Sequence, residues 1–152
     1  MEGVHPPIDL NDAPRMSFIR VFHNIQQCDN LIETSPRKMI TLFAYGNNIQ
    51  RWLPAINDMP PNLQKIRIFC HENDSAFVNG WARRYRQRFK NISFNTIDCK
   101  ELNQRLLLFG VDYLQQLRED FQPGSLEFQQ SVRDYKTICH SLANYFWQEA
   151  NP

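Results

Sequence analysis

Glycine is scarce in this sequence, and the glycines that are present do not form the patterns that hold nucleotides. Only 5 of the 152 residues are glycine, and neither GxGxxG nor GxxxxGK followed by Ser or Thr occurs. A backbone that cradles phosphates usually needs glycines for close approach. We therefore expect no nucleotide cofactor, and the sequence indicates no other cofactor.

Long apolar runs are also missing. No stretch approaches the ~20 apolar residues that cross a bilayer, and the start of the chain has neither the basic region nor the apolar run of a secretory signal. The four cysteines are far apart, which favours reduced thiols over a disulfide framework. We expect a protein of the cytoplasm or nucleus that does not bind membranes.

Neither sign of charge dominates. Seventeen basic and sixteen acidic residues leave a formal net charge of +1, so nucleic-acid binding would depend on a local patch. The segment from Trp81 to Lys90 is the one candidate, with the cations Arg83, Arg84, Arg86, Arg88 and Lys90. Helical spacing turns its aromatic residues inward and Arg83, Arg86 and Lys90 outward. The segment fits contact with nucleic acid, contact with an acidic protein, or a solvated helix face.

Strand and helix patterns alternate along the chain. The predicted strands are Lys38–Tyr45, buried on both faces, Lys65–Cys70, and Ile92–Ile97, which is more exposed. Helices are predicted over Ser17–Thr34, within Ile49–Asp58, from Asn73 or Asp74 to about Lys90, from Cys99 to about Phe121, and after Ser125 to about Glu149. A turn is predicted at Gly46–Asn48.

This alternation implies parallel strands joined by right-handed crossovers. We predict an extended or disordered tail over residues 1–15 and a single α/β domain over residues 16–150. The domain is expected to be a three-layer, Rossmann-like fold. Its short sheet would have about three parallel strands flanked by helices, followed by two long C-terminal helices.

Ligands of open parallel sheets bind beyond the carboxyl ends of the strands. The side chains there that could serve a small hydrolase or transferase are His71, Glu72, Asp98 and Cys99. Cys99 would start a helix, a position that lowers a thiol pKa, and His71 could be its base if the second and third strands are neighbours. The competing interpretation makes Asn73, Asp74 and Asp98 helix caps.

Metal sites are not indicated, because the sequence contains no CxxC or HExxH spacing. Zinc would require Cys70 or His71 to converge with Cys99 over a long range in the chain. We therefore expect no metal.

The two C-terminal helices offer more apolar surface than three strands need. Tyr145, Phe146 and Trp147 cluster near the chain end, where they either anchor a partner or close the core. By exclusion, we predict a non-catalytic protein-interaction module, an adaptor or structural subunit of an intracellular multiprotein complex. Nucleic-acid binding through the basic helix is the first alternative, and an enzyme at the carboxyl edge of the sheet is the second.

Overall fold

The structure is a computed structural model that describes residues 18–152. The predicted tail over residues 1–15 lies outside this range. The described chain divides into two compact units, Phe22–Leu102 and a second unit that joins residues 18–21 to Asn103–Pro152. Each unit has its own cluster of buried apolar side chains. The single domain over residues 16–150 stays a prediction.

The first unit is built on a sheet of parallel strands, β1 (Ile40–Tyr45), β2 (Leu63–Cys70) and β3 (Ser93–Asp98). They lie in sequence order, so β2 is central and the other two are the edges of the described sheet. This arrangement confirms the predicted α/β class. In β3, Phe94 and Ile97 are buried and Ser93 and Asn95 are exposed, so the strand is partly exposed but does not alternate strictly as the sequence predicted. Every residue of β1 is partly exposed, because β1 is an edge strand and not one buried on both faces.

Three helices accompany this sheet, α1 (Ile25–Thr34), α2 (Gly46–Trp52) and α3 (Ser75–Arg88). A 3-10 turn, Leu53–Ala55, continues α2, and another, Glu72–Asp74, leads into α3. The start of α1 corrects the predicted helix over Ser17–Thr34. Asn24 is its N-cap, because the Asn24 side chain accepts a hydrogen bond from the Gln26 N–H at 2.8 Å.

Gly46 corrects the predicted turn at Gly46–Asn48. The chain enters α2 directly from β1, so Gly46 is the first helical residue and is buried. A Cβ atom at this position would lie 3.3 Å from Cγ2 of Val78 in α3. The glycine therefore permits a close approach between α2 and α3, and it does not form a loop.

Alternate strand residues form one buried face of the sheet. Leu42 pairs with Ile66, and Ile66 pairs with Phe94. Ile66 and Ile68, in the central strand, are 0% exposed. Side chains of all three helices belong to the same buried cluster, namely Ile32, Ile49, Trp52, Val78 and Ala82. Right-handed crossovers between strands in sequence order place α2 and α3 on one face, as observed.

Three side-chain hydrogen bonds connect distant parts of this unit. Nδ2 of Asn62 donates to the carbonyl oxygens of Ile32 and Ser35, each at 2.9 Å, and so satisfies carbonyls at the end of α1. The Asn62 carbonyl accepts from the Ile40 N–H at 2.8 Å. Nε1 of Trp52 donates to Oδ1 of Asp29 at 3.0 Å. Together they tie α1 to the starts of β1 and β2 and to α2.

The second unit contains the two predicted C-terminal helices, α4 (Leu102–Asp120) and α5 (Leu126–Ala150). A 3-10 turn, Cys99–Glu101, precedes α4. Ser125 caps α5 as predicted, because its hydroxyl accepts from the Phe128 N–H at 3.2 Å. The fully buried residues of α5 are Ser131, Ile138 and Leu142. The buried line is therefore rotated from the predicted one, and Phe146 lies outside it.

Among residues 18–152, no helix is long and apolar enough to span a membrane.

Candidate functional site

The carboxyl ends of the strands bring several chemical groups to one edge of the sheet. Tyr45 pairs with Phe69, and Cys70 pairs with Asp98, so the ends of β1, β2 and β3 are in register. The rings of Tyr45 and Phe69 are 4.3 Å apart between centroids. β2 and β3 are neighbours, which places Cys70 beside Asp98 and Cys99. The exposed residues after β2 are His71, Glu72, Asn73 and Asp74.

Cys99 lies in surroundings that oppose its ionisation. Burial raises the pKa of its thiol, and the negative charges of Asp98 and Asp74 raise it too. The Cys99 backbone N–H and the Tyr45 hydroxyl, which donates to the sulfur, lower the pKa but do not reverse the shift. The sequence led us to expect a lowered pKa at a helix start. Burial and the Asp98 carboxylate outweigh that effect here.

The other half-buried or buried thiols of this unit behave in the same way. Burial raises the pKa of Cys70, and Cys99, Asp74 and Asp98 add to the shift. Burial followed by the charge of Asp29 raises the pKa of Cys28. The thiolate is the nucleophile, so cysteines of this kind react slowly near neutral pH. The thiols of Cys70 and Cys99 at the carboxyl edge are therefore protonated near neutral pH.

Asp98 is a helix cap, as one interpretation of the sequence predicted. Its carboxylate accepts from the Lys100 N–H at 2.9 Å, at the start of the turn that leads into α4. Asp74 occupies the N-cap position of α3 without a side-chain hydrogen bond to that helix. Within residues 18–152, no three His, Cys, Asp or Glu side chains are grouped so that they could hold a metal ion.

Two of the five cations in the basic segment from Trp81 to Lys90 donate hydrogen bonds to backbone carbonyls of the first unit. Nη2 of Arg86 donates to the carbonyl of Phe94 in β3 at 3.0 Å. Nη2 of Arg88 donates to the carbonyls of Ile56 at 3.2 Å and Asn57 at 3.4 Å. The Arg88 guanidinium also lies 4.9 Å from the centroid of the Phe89 ring. All five cations, Arg83, Arg84, Arg86, Arg88 and Lys90, are exposed. The predicted outward position of Arg86 is therefore confirmed, and its guanidinium also donates to a carbonyl of β3.

The aromatic cluster at the end of α5 divides between partly buried and exposed residues. Tyr145 is partly buried, and its ring meets the ring of Phe146 edge-on with centroids 5.5 Å apart. Phe146 is 49% exposed and Trp147 is 66% exposed. Ala143 and Ala150 are exposed as well. Neither alanine was predicted to belong to the cluster, although the spacing of both from Phe146 and Trp147 is visible in the sequence.

The chain was compared with protein-family models, with curated proteins and with solved structures. None of them matches it.

Two substitutions are expected to move the reactivity of Cys99 in opposite directions. Asp98→Asn keeps an acceptor for the Lys100 N–H but removes the negative charge, so the pKa of Cys99 should fall. Tyr45→Phe removes the hydrogen bond to the sulfur, so the pKa should rise. At pH 8, iodoacetamide should alkylate Cys99 about twofold faster or more in the first variant and correspondingly more slowly in the second, because the thiolate reacts.

Peptide mass spectrometry resolves the alkylation rate of each cysteine. Cys139 of α5, measured in the same samples, is the internal reference and should keep its rate. Equal rates for Cys99 in both variants, or a change in the same direction, would contradict the arrangement of Tyr45, Asp98 and Cys99.

Proposed function

We propose that this chain is a non-catalytic protein-interaction module, an adaptor or structural subunit of a complex in the cytoplasm or nucleus. The end of α5 supplies its binding surface. The observation that carries the proposal is an exposed apolar line on α5, formed by Ala143, Phe146, Trp147 and Ala150, which we call the α5 stripe.

The spacing of the α5 stripe suits a helix that binds in a groove. Its members occupy positions i, i+3, i+4 and i+7, which share one side of a helix. This is the pattern by which amphipathic helices enter apolar grooves of partner proteins. The alanines at both ends let the groove walls approach, and the two large rings between them fill it. The proposed partner therefore presents an apolar groove about two helical turns long.

The size of the α5 stripe indicates an anchor within a larger contact. Phe and Trp bury on the order of 150–250 Å² each when fully enclosed, whereas a stable interface buries about 800 Å² on each partner. Aromatic anchors of this kind often carry most of the binding free energy. We expect Trp147 to be the dominant contact and Phe146 the second.

The two alternative functions have weaker support. The raised pKa values of Cys99 and Cys70 disfavour nucleophilic catalysis at the carboxyl edge. The use of Arg86 and Arg88 as donors to backbone carbonyls leaves fewer cations of α3 for phosphates. Both points favour an interaction module over an enzyme or a nucleic-acid-binding protein.

Reconstitution with a purified partner tests this proposal. Proteins that co-purify with the chain from its native cells are identified, expressed and titrated against it by calorimetry. Trp147→Ala should weaken the direct contact by about 2 kcal/mol or more, roughly thirtyfold in Kd, as expected for a central aromatic anchor.

Leu126→Ala is the matched control, because Leu126 is 78% exposed at the other end of the same helix. It should leave the Kd unchanged. The proposal is wrong if every reconstituted partner binds the double variant Phe146→Ala/Trp147→Ala as tightly as the native chain, or if no co-purified protein binds directly.

A further inference from the structure

The side of α3 that points away from the sheet has an unusual combination of residues. Its members are all exposed, and they are Ala76, Phe77, Gly80, Arg83, Arg84 and Gln87. We call this set the α3 outer face. It lies opposite the buried Val78 and Ala82. Phe77 is 66% exposed although it is a large apolar side chain. An exposed phenyl ring about two helical turns from a pair of exposed arginines is the first sign of a contact surface.

Gly80 is the second sign. A glycine in a helix interior costs about 1 kcal/mol relative to alanine, and proteins keep such glycines where something must approach the backbone closely. At Gly80, an added Cβ atom would meet no other atom within 4 Å. Packing within the unit therefore gives no reason for a glycine at position 80. A molecule that docks between Phe77 and Arg84 would give one, because it needs the space that a side chain would fill.

The charge of α3 is one-sided. The helix from Ser75 to Arg88 contains four arginines and no aspartate or glutamate. All four arginines are exposed; Arg86 and Arg88 donate to backbone carbonyls of the same unit, whereas Arg83 and Arg84 lie on the outer face. Guanidinium groups bind carboxylates in a paired geometry that strengthens the hydrogen bonds. The outer face is thus complementary to carboxylates at its Arg83–Arg84 end and to an apolar group at its Phe77 end.

We infer that the α3 outer face binds an acidic segment of a partner protein. Carboxylates of the segment pair with Arg83 and Arg84, and one apolar side chain lies over Gly80 against the ring of Phe77. The surface belongs to a different unit from the α5 stripe and depends on none of its residues. Loss of one binding activity therefore leaves the other measurable.

The same residues favour an acidic peptide over nucleic acid. Affinity for nucleic acid grows with the number of phosphates that cations neutralise, and only Arg83 and Arg84 lie on the outer face. The exposed carboxylates of Glu72 and Asp74 lie in the turn directly before α3, close in sequence to Phe77. They would repel a phosphate backbone that extended toward the ring. An acidic peptide can place its carboxylates at the arginine end and its apolar residue at the other end.

Fluorescence anisotropy with labelled probes tests this inference on the full chain. The probe is a short fluorescein-labelled peptide in which a run of glutamates lies on one side of a single phenylalanine. A peptide with lysines in place of the glutamates and a labelled single-stranded oligonucleotide are the comparisons. The acidic peptide should bind most tightly. Arg83→Glu/Arg84→Glu should weaken its binding about tenfold or more, because attraction becomes repulsion.

Two further variants separate a defined surface from general charge attraction. Arg133→Glu/Lys136→Glu makes the same charge change at exposed positions of α5 and should leave the affinity unchanged. Gly80→Gln places a polar side chain in the docking position. Glutamine is a better helix former than glycine, so this variant should fold at least as stably and still bind the peptide more weakly. Thermal unfolding followed by circular dichroism verifies the fold of each variant.

The inference is overturned by any of three results. The two double charge reversals could weaken binding of the acidic peptide equally, which would indicate non-specific attraction. Gly80→Gln could bind like the native chain, which would remove the docking position. The oligonucleotide could bind more tightly than the acidic peptide, which would make α3 a nucleic-acid-binding helix.

Discussion

Asn62→Asp is expected to lower the free energy of unfolding by about 3–5 kcal/mol at pH 7. The substitution hardly changes the shape of the side chain, which is only 5% exposed. It replaces the Nδ2 donor by a carboxylate oxygen that faces the carbonyls of Ile32 and Ser35. Two hydrogen bonds are lost, and a buried negative charge meets two acceptors. Urea denaturation followed by tryptophan fluorescence measures the loss.

The pH dependence of this variant identifies the cause. Burial and the facing carbonyls should raise the folded-state pKa of the new carboxyl above its unfolded value of about 3.9. The variant is then relatively most stable below that unfolded value, where the neutral acid can donate one hydrogen bond. Stability is lost as the pH rises through the folded-state pKa.

Asn91→Asp is the matched control, because Asn91 is exposed and the substitution adds the same charge. It should change the free energy of unfolding by less than about 0.5 kcal/mol. A small loss in Asn62→Asp, similar to that of the control, would contradict the structural role of the Asn62 side chain.

Ile68→Ala is expected to destabilise the chain by about 2–5 kcal/mol. Ile68 is 0% exposed in the central strand and pairs with Ala44 of β1 and Thr96 of β3. The substitution removes buried methyl and methylene groups and leaves a cavity in a cluster to which α1, α2 and α3 all contribute. Typical domains have a total free energy of unfolding of only about 5–15 kcal/mol, so the expected loss is a large fraction of the total.

Ile68→Val, which removes a single methylene group, should cost only about 0.5–1.5 kcal/mol. Amide hydrogen exchange measured by mass spectrometry shows which part of the chain is destabilised. Protection should fall across β2 and its neighbours within Phe22–Leu102. If residues 103–150 lose protection to the same extent, the chain unfolds as the single domain that the sequence predicts. Unchanged protection in β2 would contradict the packing described for Ile68.

Hydrophobic pattern was enough to predict the three strands, because each combines β-branched and aromatic residues with polar boundaries. It was not enough to predict where α1 begins. Phe18, Val21 and Phe22 continue the helical spacing, but Asn24 has an extended backbone and its side chain accepts from the Gln26 N–H, so α1 begins after it. Gly46 shows a different limit. Its contact with Val78 joins residues far apart in sequence, and local turn preferences carry no information about such contacts.

The candidate sites were also predicted only in part. The ends of β1 and β2 were predicted correctly, and that of β3 to within one residue. The meeting of Cys70, Asp98 and Cys99 also requires β2 and β3 to be neighbours, which the sequence left open and the structure shows. The direction of the Cys99 pKa shift could not be predicted, because burial outweighs the position at a helix start. The outward position of Arg86 was predicted correctly, but its hydrogen bond to a carbonyl of β3 was not, because a helical wheel does not show how far a long side chain reaches. Contacts made by long side chains therefore limited the prediction most.

The order of the strands has a consequence for how the chain is made. β1, β2 and β3 pair in the order in which a ribosome synthesises them, so each strand leaves the exit tunnel when its neighbour is already available. No strand must be inserted between two earlier ones. Pairing of segments that are close in sequence also favours rapid folding. The sheet can grow by one strand at a time during translation, while α4 and α5 are still being added.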